Sequence, residues 1–508
     1  MTGRRVLVIA GSDSSGGAGL EADQKVIAAH GCYAMTATTA LTAQNTQGVF
    51  DIHKIPVDFL KKTIDLNIDD IGVDVVKTGM LASAEAIDVV ADAFKRHNIQ
   101  LSVIDPVMVS TSGSQLLPQT AVQGLREKLL PMTTILTPNV PEAKLLLKDA
   151  GKDFKELQTL DDVIELAKAV QSLGPKYVLL KGGHLPLTKG RLVSSSEAEK
   201  HTVVDILFGE GQTTIIESAY QDAKNTHGTG CSLASAIASN LALGKPVIQA
   251  VRSSCQYVEA GIRTSINRGK GSGPINHFHS TYTLPFAPGH FVEYLLDRAD
   301  VKRAWKAHTE HEFVQRMADG TLPLESFKYY LIQDYLYLIQ FSRANALASY
   351  KAKTIEDINM SAQIVQHIHE EMQLHIDYCK EFGISKEEIE QHEESQACTA
   401  YTRYVLDVGQ SEDWLALQIS LAPCLIGYGV IAQRLFEDPK TLRDGNIYWK
   451  WILNYAADDF QEAVKIGSEL LEKHAMLQSP ARIEELVKIF IHATNMETGF
   501  WSMQPTQV

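Results

Sequence analysis

Asn225-Thr226-His227-Gly228-Thr229-Gly230-Cys231 decides how the first half of this chain is read. Two glycines bracket Thr229, and a helical stretch over 231–243 follows at once, with Leu233, Ile237 and Leu241 recurring every fourth residue on one face. Glycines let the backbone turn tightly and aim consecutive N–H groups at one point, and the unpaired amides of a helix N-terminus add partial positive charge. The stretch reads as an anion hole formed by Gly228, Thr229 and Gly230. Alone, it would equally suit an ordinary glycine turn before a helix.

A second glycine-rich loop at the other end of the same region tips the balance. Residues 10–20, Ala-Gly-Ser-Asp-Ser-Ser-Gly-Gly-Ala-Gly-Leu, follow an apolar run at 6–10 and precede a helical pattern beginning near Leu20. Strand, glycine loop and helix in that order suit a nucleotide or small-substrate site. The loop is not a Walker A motif, having no Gly-Lys-Ser/Thr ending, and its glycines at 11, 16, 17 and 19 lack the Rossmann spacing.

Outward from these loops, short apolar runs alternate with amphipathic stretches. Strands are expected at 6–10, 75–78, 102–105, 135–137 and 177–181, and helices at 20–30, 84–97, 121–130, 161–173 and 231–243. Such alternation means βαβ units and a mainly parallel sheet with helices on both faces. In these sheets ligands bind beyond the carboxyl ends of the strands. Gly11-Ser12-Asp13, Lys77-Thr78-Gly79-Met80, Asp105-Pro106, Thr137-Pro138-Asn139 and Lys181-Gly182-Gly183-His184 all fall on that rim.

Phosphoryl transfer needs a cradle for phosphate charge, a divalent metal, a positioned hydroxyl and usually a base. The 228–231 loop is the candidate cradle. Asp105 and Glu142 are hard oxygen ligands suited to Mg²⁺, directly or through water, and Lys181 can neutralise phosphate charge. Asp23 is placed to hold a hydroxyl or amino group; in isolation it would equally be a solvent-facing residue, and Glu142 a helix-start carboxylate.

Composition bounds the rest. At 508 residues the chain is too long for one hydrophobic core, so two or three domains are expected. Net charge is 47 − 61 = −14, which argues against nucleic acid or an anionic membrane as the main partner. Six cysteines (32, 231, 255, 379, 398, 424) form no CxxC pair and read as reduced thiols, and no run approaches eighteen consecutive apolar residues, so a soluble cytoplasmic protein is expected. Of 34 glycines, 26 precede residue 290, whereas all five tryptophans follow it. The change falls in 268–289, rich in glycine and proline, which marks a boundary: a first domain over 1–280, a linker over 281–289 and a second domain over 290–508.

Here the first domain resembles the hydroxymethylpyrimidine/hydroxymethylpyrimidine-phosphate kinases of the ribokinase superfamily. The resemblance runs through 10–23, 40–48 (Ala-Leu-Thr-Ala-Gln-Asn-Thr-Gln-Gly), 77–81, 136–142, 181–185, 225–231 and 269–279. It implies an α/β ribokinase-like fold, Gln44 on the pyrimidine edge, and Gly11, Met80 and Val107 walling the ring. It also implies ATP and Mg²⁺ near Asp105, Asn139, Glu142 and Lys181. Cys231 stands where the superfamily commonly has Asp, a variant these kinases use. At a helix N-terminus its pKa is expected to fall, allowing a thiolate base or an anion-hole role. A pyridoxal kinase is the nearest rival, because hydroxymethylpyridines and hydroxymethylpyrimidines are alike in shape.

After Gly289 the pattern is helical throughout, with helices expected over 291–304, 313–318, 324–352, 360–382, 397–409, 414–435 and from 447 onward: an all-α bundle. Aromatic stripes such as Tyr329, Tyr330, Tyr335 and Tyr337 are, by themselves, core. His367, His369, Glu370, Glu371 and His375 include no HExxH motif, so a solvated cluster, or one supporting other site residues, is the better reading than a metal site.

Asp319–Tyr337, 421–428 (Leu-Ala-Pro-Cys-Leu-Ile-Gly-Tyr) and 496–501 (Met-Glu-Thr-Gly-Phe-Trp) resemble thiaminase II, whose helical bundle is haem-oxygenase-like. The resemblance implies Cys424 as nucleophile, Glu497 as general acid/base and Asp334 on the aminopyrimidine, with Tyr337, Tyr401, Tyr428 and Tyr455 lining the pocket. The chemistry suits these types. A thiolate adding to the ring breaks its aromaticity and helps expel the group on the exocyclic methylene, a carboxylic acid shuttles the proton, and a carboxylate grips the amidine-like edge. The neighbours of Glu497, Met496 and Thr498-Gly499, are smaller than that family leads one to expect. Together the two resemblances imply a bifunctional enzyme of thiamine metabolism acting on small molecules, with a homo-oligomer as the expected assembly. A kinase carrying a catalytically silent helical module stays open at this point.

Overall fold

The computed structural model describes residues 2–108, 118–183 and 185–504. The chain forms two compact units, Met1–Thr281 and Tyr282–Val508.

Among the described residues of the first unit ten strands form two sheets: β1 (Arg5–Ala10), β2 (Tyr33–Thr38), β3 (Ala40–Asn45), β4 (Gly48–Lys54), β5 (Val75–Thr78), β6 (Ser102–Ile104), β7 (Ile135–Leu136), β8 (Tyr177–Leu180), β9 (Thr202–Gly209) and β10 (Gln212–Ala219). Eight of them lie in the order β10-β9-β8-β7-β6-β5-β1-β2, while β3 and β4 pair as a separate two-stranded ribbon. From β2 to β8 every pairing is parallel; β8–β9 and β9–β10 are antiparallel.

The strands read as unbroken apolar runs because both faces of the sheet are covered. Leu7, Ile9, Val76, Ile104 and Leu136 belong to one core, with helices Ala84–Arg96, Val140–Asp149 and Leu160–Gln171. Val6, Val8, Val75, Val103 and Ile135 point the other way, into a core with helices Gly19–Ala29, Thr229–Ala242 and Val247–Arg263. Register then sets the rim. Ile9 is paired with Thr78, Thr78 with Ile104, Ile104 with Leu136 and Leu136 with Val178, so the loops after β1, β5, β6, β7 and β8 leave along one edge.

The second unit is helical. Its main helices are Ala299–Thr309, Leu324–Lys351, Ile355–Glu381, Gln396–Ser411, Trp414–Glu437, Asp458–Ala475 and Pro480–Trp501. Side chains of Thr354, Ser395, Asp413 and Ser479 cap four of them, each accepting from a first-turn N–H.

Two expectations are corrected here. The helix read over 291–304 breaks at Arg298, which is extended (φ −61°, ψ 137°) and separates Phe291–Asp297 from Ala299–Thr309. The stretch read as a linker is not loose: Leu284 and Phe286 pack against a core of the second unit. Trp414–Glu437 is long and apolar enough to cross a membrane by composition, although it contains no eighteen-residue unbroken apolar run; 78% of its most apolar window is buried inside the unit, where it is the core helix.

Candidate active sites

The two glycine loops of the first unit meet. Gly228 caps helix Thr229–Ala242 in the left-handed region (φ 77°), with no side chain on the helix N-terminus. A Cβ there would overlap the carbonyl oxygen of Gly17, and one on Gly17 would strike the His227 ring. Only two glycines let these backbones approach so closely.

Beneath the loops the rim charges alternate. Lys181 Nζ donates to Asp105 Oδ1 (2.7 Å), which also accepts from Thr137 Oγ1 (3.1 Å). Gly230 completes the corner: a Cβ would lie 3.2 Å from Lys181 Nζ and 3.6 Å from Asp105 Oδ2. Asn139 and Glu142 form a capping box, Asn139 N–H donating to Glu142 Oε2 (2.9 Å) and Glu142 N–H to Asn139 Oδ1 (2.8 Å). Burial pushes the Glu142 carboxyl up to about 7, opposed by Lys181 and assisted by Asp105. Asp105, Asn139, Glu142, Lys181 and Gly228–Gly230 therefore converge on one corner.

On the substrate side, Gly11 packs so closely against Met80 that a Cβ would collide with the methionine's terminal methyl. Val107 is half-buried just past Asp105, its N–H donating to the Asp105 carbonyl (2.9 Å). Gln44, on β3, lies 3.3 Å from His227 Nε2.

Two sequence expectations fail here. Asp23 is not solvent-facing: it is fully buried, accepting from Lys77 Nζ at 2.9 and 2.8 Å and from Ser235 Oγ at 2.7 Å. Lys77, equally buried, is its counter-ion. The second failure concerns Cys231, whose thiol is raised rather than lowered. Burial pushes it up to about 11, with Lys77 opposing and Asp23 and Asp105 adding to the rise. The helix N-terminus does not outweigh loss of water, so the thiol is neutral near pH 7 and suits a hydrogen-bonding part of the anion hole better than a base.

Lys77, Asp13 and His227 had no assigned role in the sequence reading. Asp13 accepts from Ser15, Ala18 and His227; burial pushes its carboxyl up, but these hydrogen bonds win and hold it at about 2. The signal for His227 was its place inside the 225–231 stretch. His184 lies outside the described residues.

In the second unit five helices bring one cluster together, with His375 added from a sixth. Glu497, on Pro480–Trp501, is 1% exposed and accepts from the Tyr401 hydroxyl (2.8 Å). Cys424, half-buried on Trp414–Glu437, faces Glu497 and Tyr337. Tyr337 and Tyr401 stack at 5.0 Å, and the Tyr337 hydroxyl is buried without a hydrogen-bond partner among the described residues. Tyr428 meets Tyr455 edge-on at 5.2 Å and stacks on Trp501 at 5.3 Å. Asp334, 5% exposed, has His375 Nδ1 3.8 Å away, while His375 Nε2 donates to the Leu331 carbonyl (2.8 Å).

Burial pushes the Glu497 carboxyl up to about 8, and Tyr401 opposes the shift while Asp334 adds to it. Burial, then the charge of Glu497, raises the Cys424 thiol well above its usual value. A carboxyl and a thiol, both raised by burial, stand together among aromatic rings. The side chains of His367, Glu370 and Glu371 lie outside those described; among the described residues no group of three or more His, Cys, Asp or Glu could hold a metal.

A parallel α/β unit with a phosphate cradle, followed by a helical unit with a buried Cys/Glu pair, defines a ribokinase-like kinase joined to a thiaminase II-type hydrolase. The chain belongs to the phosphomethylpyrimidine kinase family, whose model matches residues 13–276, and its helical unit to the TENA/THI-4/PQQC family, matched over 298–507. A Schizosaccharomyces pombe protein named hydroxymethylpyrimidine/phosphomethylpyrimidine kinase 2 is 45% identical over 97% of this chain and 90% of its own length. Hydroxymethylpyrimidine/phosphomethylpyrimidine kinase THI20 of Saccharomyces cerevisiae is 36% identical over 98% and 94%. The thiamine biosynthesis multifunctional protein ThiED of Corynebacterium glutamicum is 30% identical over 98% of this chain and 66% of its own.

Proposed function

We propose that the helical unit hydrolyses an aminomethylpyrimidine, or thiamine, to 4-amino-5-hydroxymethyl-2-methylpyrimidine, and that the α/β unit phosphorylates this alcohol and then its monophosphate with ATP. The kinase and hydrolase activities follow from the family; the substrates rest on the relatives' names and on the fit of the two sites. One observation carries the reading against a silent helical module: Cys424 and Glu497 stand together among buried aromatic rings, with Tyr401 holding Glu497.

In the hydrolase pocket, Asp334 takes the amidine-like edge of the pyrimidine and the tyrosines sandwich the ring. The Cys424 proton passes to the ionised fraction of Glu497 as Sγ adds to the ring. Glu497 then hands it to the leaving amine on the exocyclic methylene, water adds to the vacated carbon and gives a proton to Glu497, and Sγ departs and takes that proton back as the ring regains aromaticity.

In the kinase site, Gly228–Gly230 and the Cys231 thiol face the transferring phosphoryl group, and Lys181 meets its charge. Asp105 and Glu142 fit a hard divalent cation: Asp105 Oδ2 lies 3.6 Å from where a Gly230 Cβ would stand, and Glu142 is buried at the same corner. Bound there, Mg²⁺ would neutralise charge on the nucleotide phosphates. Gln44, Met80, Gly11 and Val107 hold the pyrimidine.

The test is mass spectrometry of the purified chain with aminomethylpyrimidine, ATP and Mg²⁺. Wild type is expected to yield ammonia and the alcohol's mono- and pyrophosphate. Cys424→Ser should stop at the amine and Cys231→Ala should accumulate unphosphorylated alcohol. Phosphorylation of supplied alcohol without release of ammonia from the amine, or thiazole from thiamine, removes the hydrolase half.

A further inference from the structure

Asp13 and His227 close a buried junction between the two glycine loops, and the Gln44 amide lies against it. Asp13 is 3% exposed and His227 8%. Asp13 Oδ1 accepts from the Ser15 N–H (2.9 Å) and hydroxyl (2.8 Å), and Oδ2 from the Ala18 N–H (2.8 Å). His227 Nε2 is 2.7 Å from the same Oδ2 and 3.3 Å from one end of the Gln44 amide. The other end of that amide is 3.1 Å from Thr42 Oγ1, which is also 2.8 Å from the Ser12 carbonyl oxygen.

Counting protons decides which way the amide points. The Ser12 carbonyl can only accept, so Thr42 donates its single proton there and turns lone pairs toward Gln44. The amide atom facing Thr42 is therefore the NH₂ group. Asp13, with three other donors upon it, is an acceptor, so His227 Nε2 carries a proton. The amide atom facing His227 is therefore Oε1. Both ends give one orientation, the flip that puts Nε2 on Thr42 and Oε1 on His227; the two orientations fill the same volume.

We propose that the Asp13–His227 and Thr42–Ser12 contacts fix the polarity of the Gln44 amide, making His227 and Thr42 positioning residues for substrate selection. Fixed this way, Gln44 keeps one N–H and one oxygen lone pair side by side. An aminopyrimidine offers the complement, an amino group beside a ring nitrogen. A hydroxymethylpyridine such as pyridoxal has no such edge, and an amide free to flip would lose the preference. The inference rests on the reading of the first unit as an aminopyrimidine-alcohol kinase and deepens it. Because His227 directly precedes Gly228, the residue that orients Gln44 also opens the anion hole.

The experiment measures kcat/KM of the full chain for hydroxymethylpyrimidine and for pyridoxal, in wild type, His227→Phe, Thr42→Val, Gln44→Ala and the two double variants with Gln44→Ala. The pyrimidine-over-pyridine ratio is expected to fall roughly 10-fold or more in His227→Phe and in Thr42→Val, the scale of one lost oriented hydrogen bond. Adding Gln44→Ala to either should lower it little further. A purely structural role would depress both substrates alike and leave the ratio unmoved, which overturns the proposal; so does a fully additive Gln44→Ala effect. Thr42→Val keeps the shape and carries the test if His227→Phe does not fold. A wild type that acts on pyridoxal and ignores the pyrimidine overturns the substrate reading and this proposal with it. A wild type that prefers the pyrimidine, with unchanged variants, overturns this proposal alone.

Discussion

Lys77 and Asp23 show how far a single residue's meaning depends on burial. Both are fully buried and paired at 2.8 Å. Taking one partner away leaves an unpaired charge in a dry interior, so Lys77→Met is expected to cost the first unit about 3–5 kcal/mol, and Lys77→Met with Asp23→Leu to recover most of it. Urea titrations of the three proteins check this; equal loss in the single and double variants would show the pair is not the cause. Glu497 makes a prediction of opposite charge logic. Its folded pKa, about 8, lies above the usual 4.5, so the folded state holds the extra proton between those values. Its contribution is therefore full below about pH 4.5 and is lost as pH rises toward 8. Glu497→Gln should flatten that decline in melting temperature between pH 5 and 8 while removing hydrolysis. An unchanged slope would mean another group sets it. At this scale the sequence named chemical types well and environments badly. Asp23 could be placed near the site from its motif, but not turned inward onto Lys77, and the rise of Cys231 depends on burial that no local pattern records.

Among the elements, what could be read from sequence tracks how local the signal was. The five central strands were legible because burial on both faces makes them continuous apolar runs. The antiparallel pair β9–β10 was missed, although its turn, Glu210-Gly211 with φ of 49° and 73°, is the left-handed pair a two-residue hairpin demands. The ribbon β3–β4, which carries Gln44, was missed because Leu41, Phe50 and Ile52 are exposed and its pattern is not that of a half-buried strand. In the second unit, helices were legible from periodicity, while their pairing around Cys424 depended on long-range packing. The core helix Trp414–Glu437 illustrates this. Gly427 leaves room for His308: a Cβ there would collide with the imidazole, which accepts from the Trp501 indole N–H (2.9 Å). Gly427→Ala must displace that ring, an overpacking expected to cost about 1–3 kcal/mol and to lower hydrolase turnover without touching the kinase. Thermal melts and paired assays decide it, and an unchanged melting temperature would mean the ring moves aside freely.

For the whole molecule, two units with separate cores mean that each site can be silenced alone. A mixture of Cys424→Ser chains with Lys181→Met chains is expected to convert aminomethylpyrimidine to the pyrophosphate, with a lag while free alcohol accumulates. Mass spectrometry of the time course reads this directly. No pyrophosphate from the mixture, with each chain active at its intact site, would mean the alcohol does not pass through solution. The junction of the two glycine loops has a consequence in time as well as in space. Asp13 and His227 touch across 214 positions of chain. At cellular synthesis rates of about 5–20 residues per second, the second loop is made roughly 10–40 s after the first. During that interval the first loop waits without its partner, and contacts of such long sequence separation close late. Kinase competence therefore waits for the second loop and for the later chain that packs on it, such as Gly271, whose N–H meets Thr46 Oγ1 across 225 positions, and the appearance of activity on a nascent chain would time that late stage of its fold.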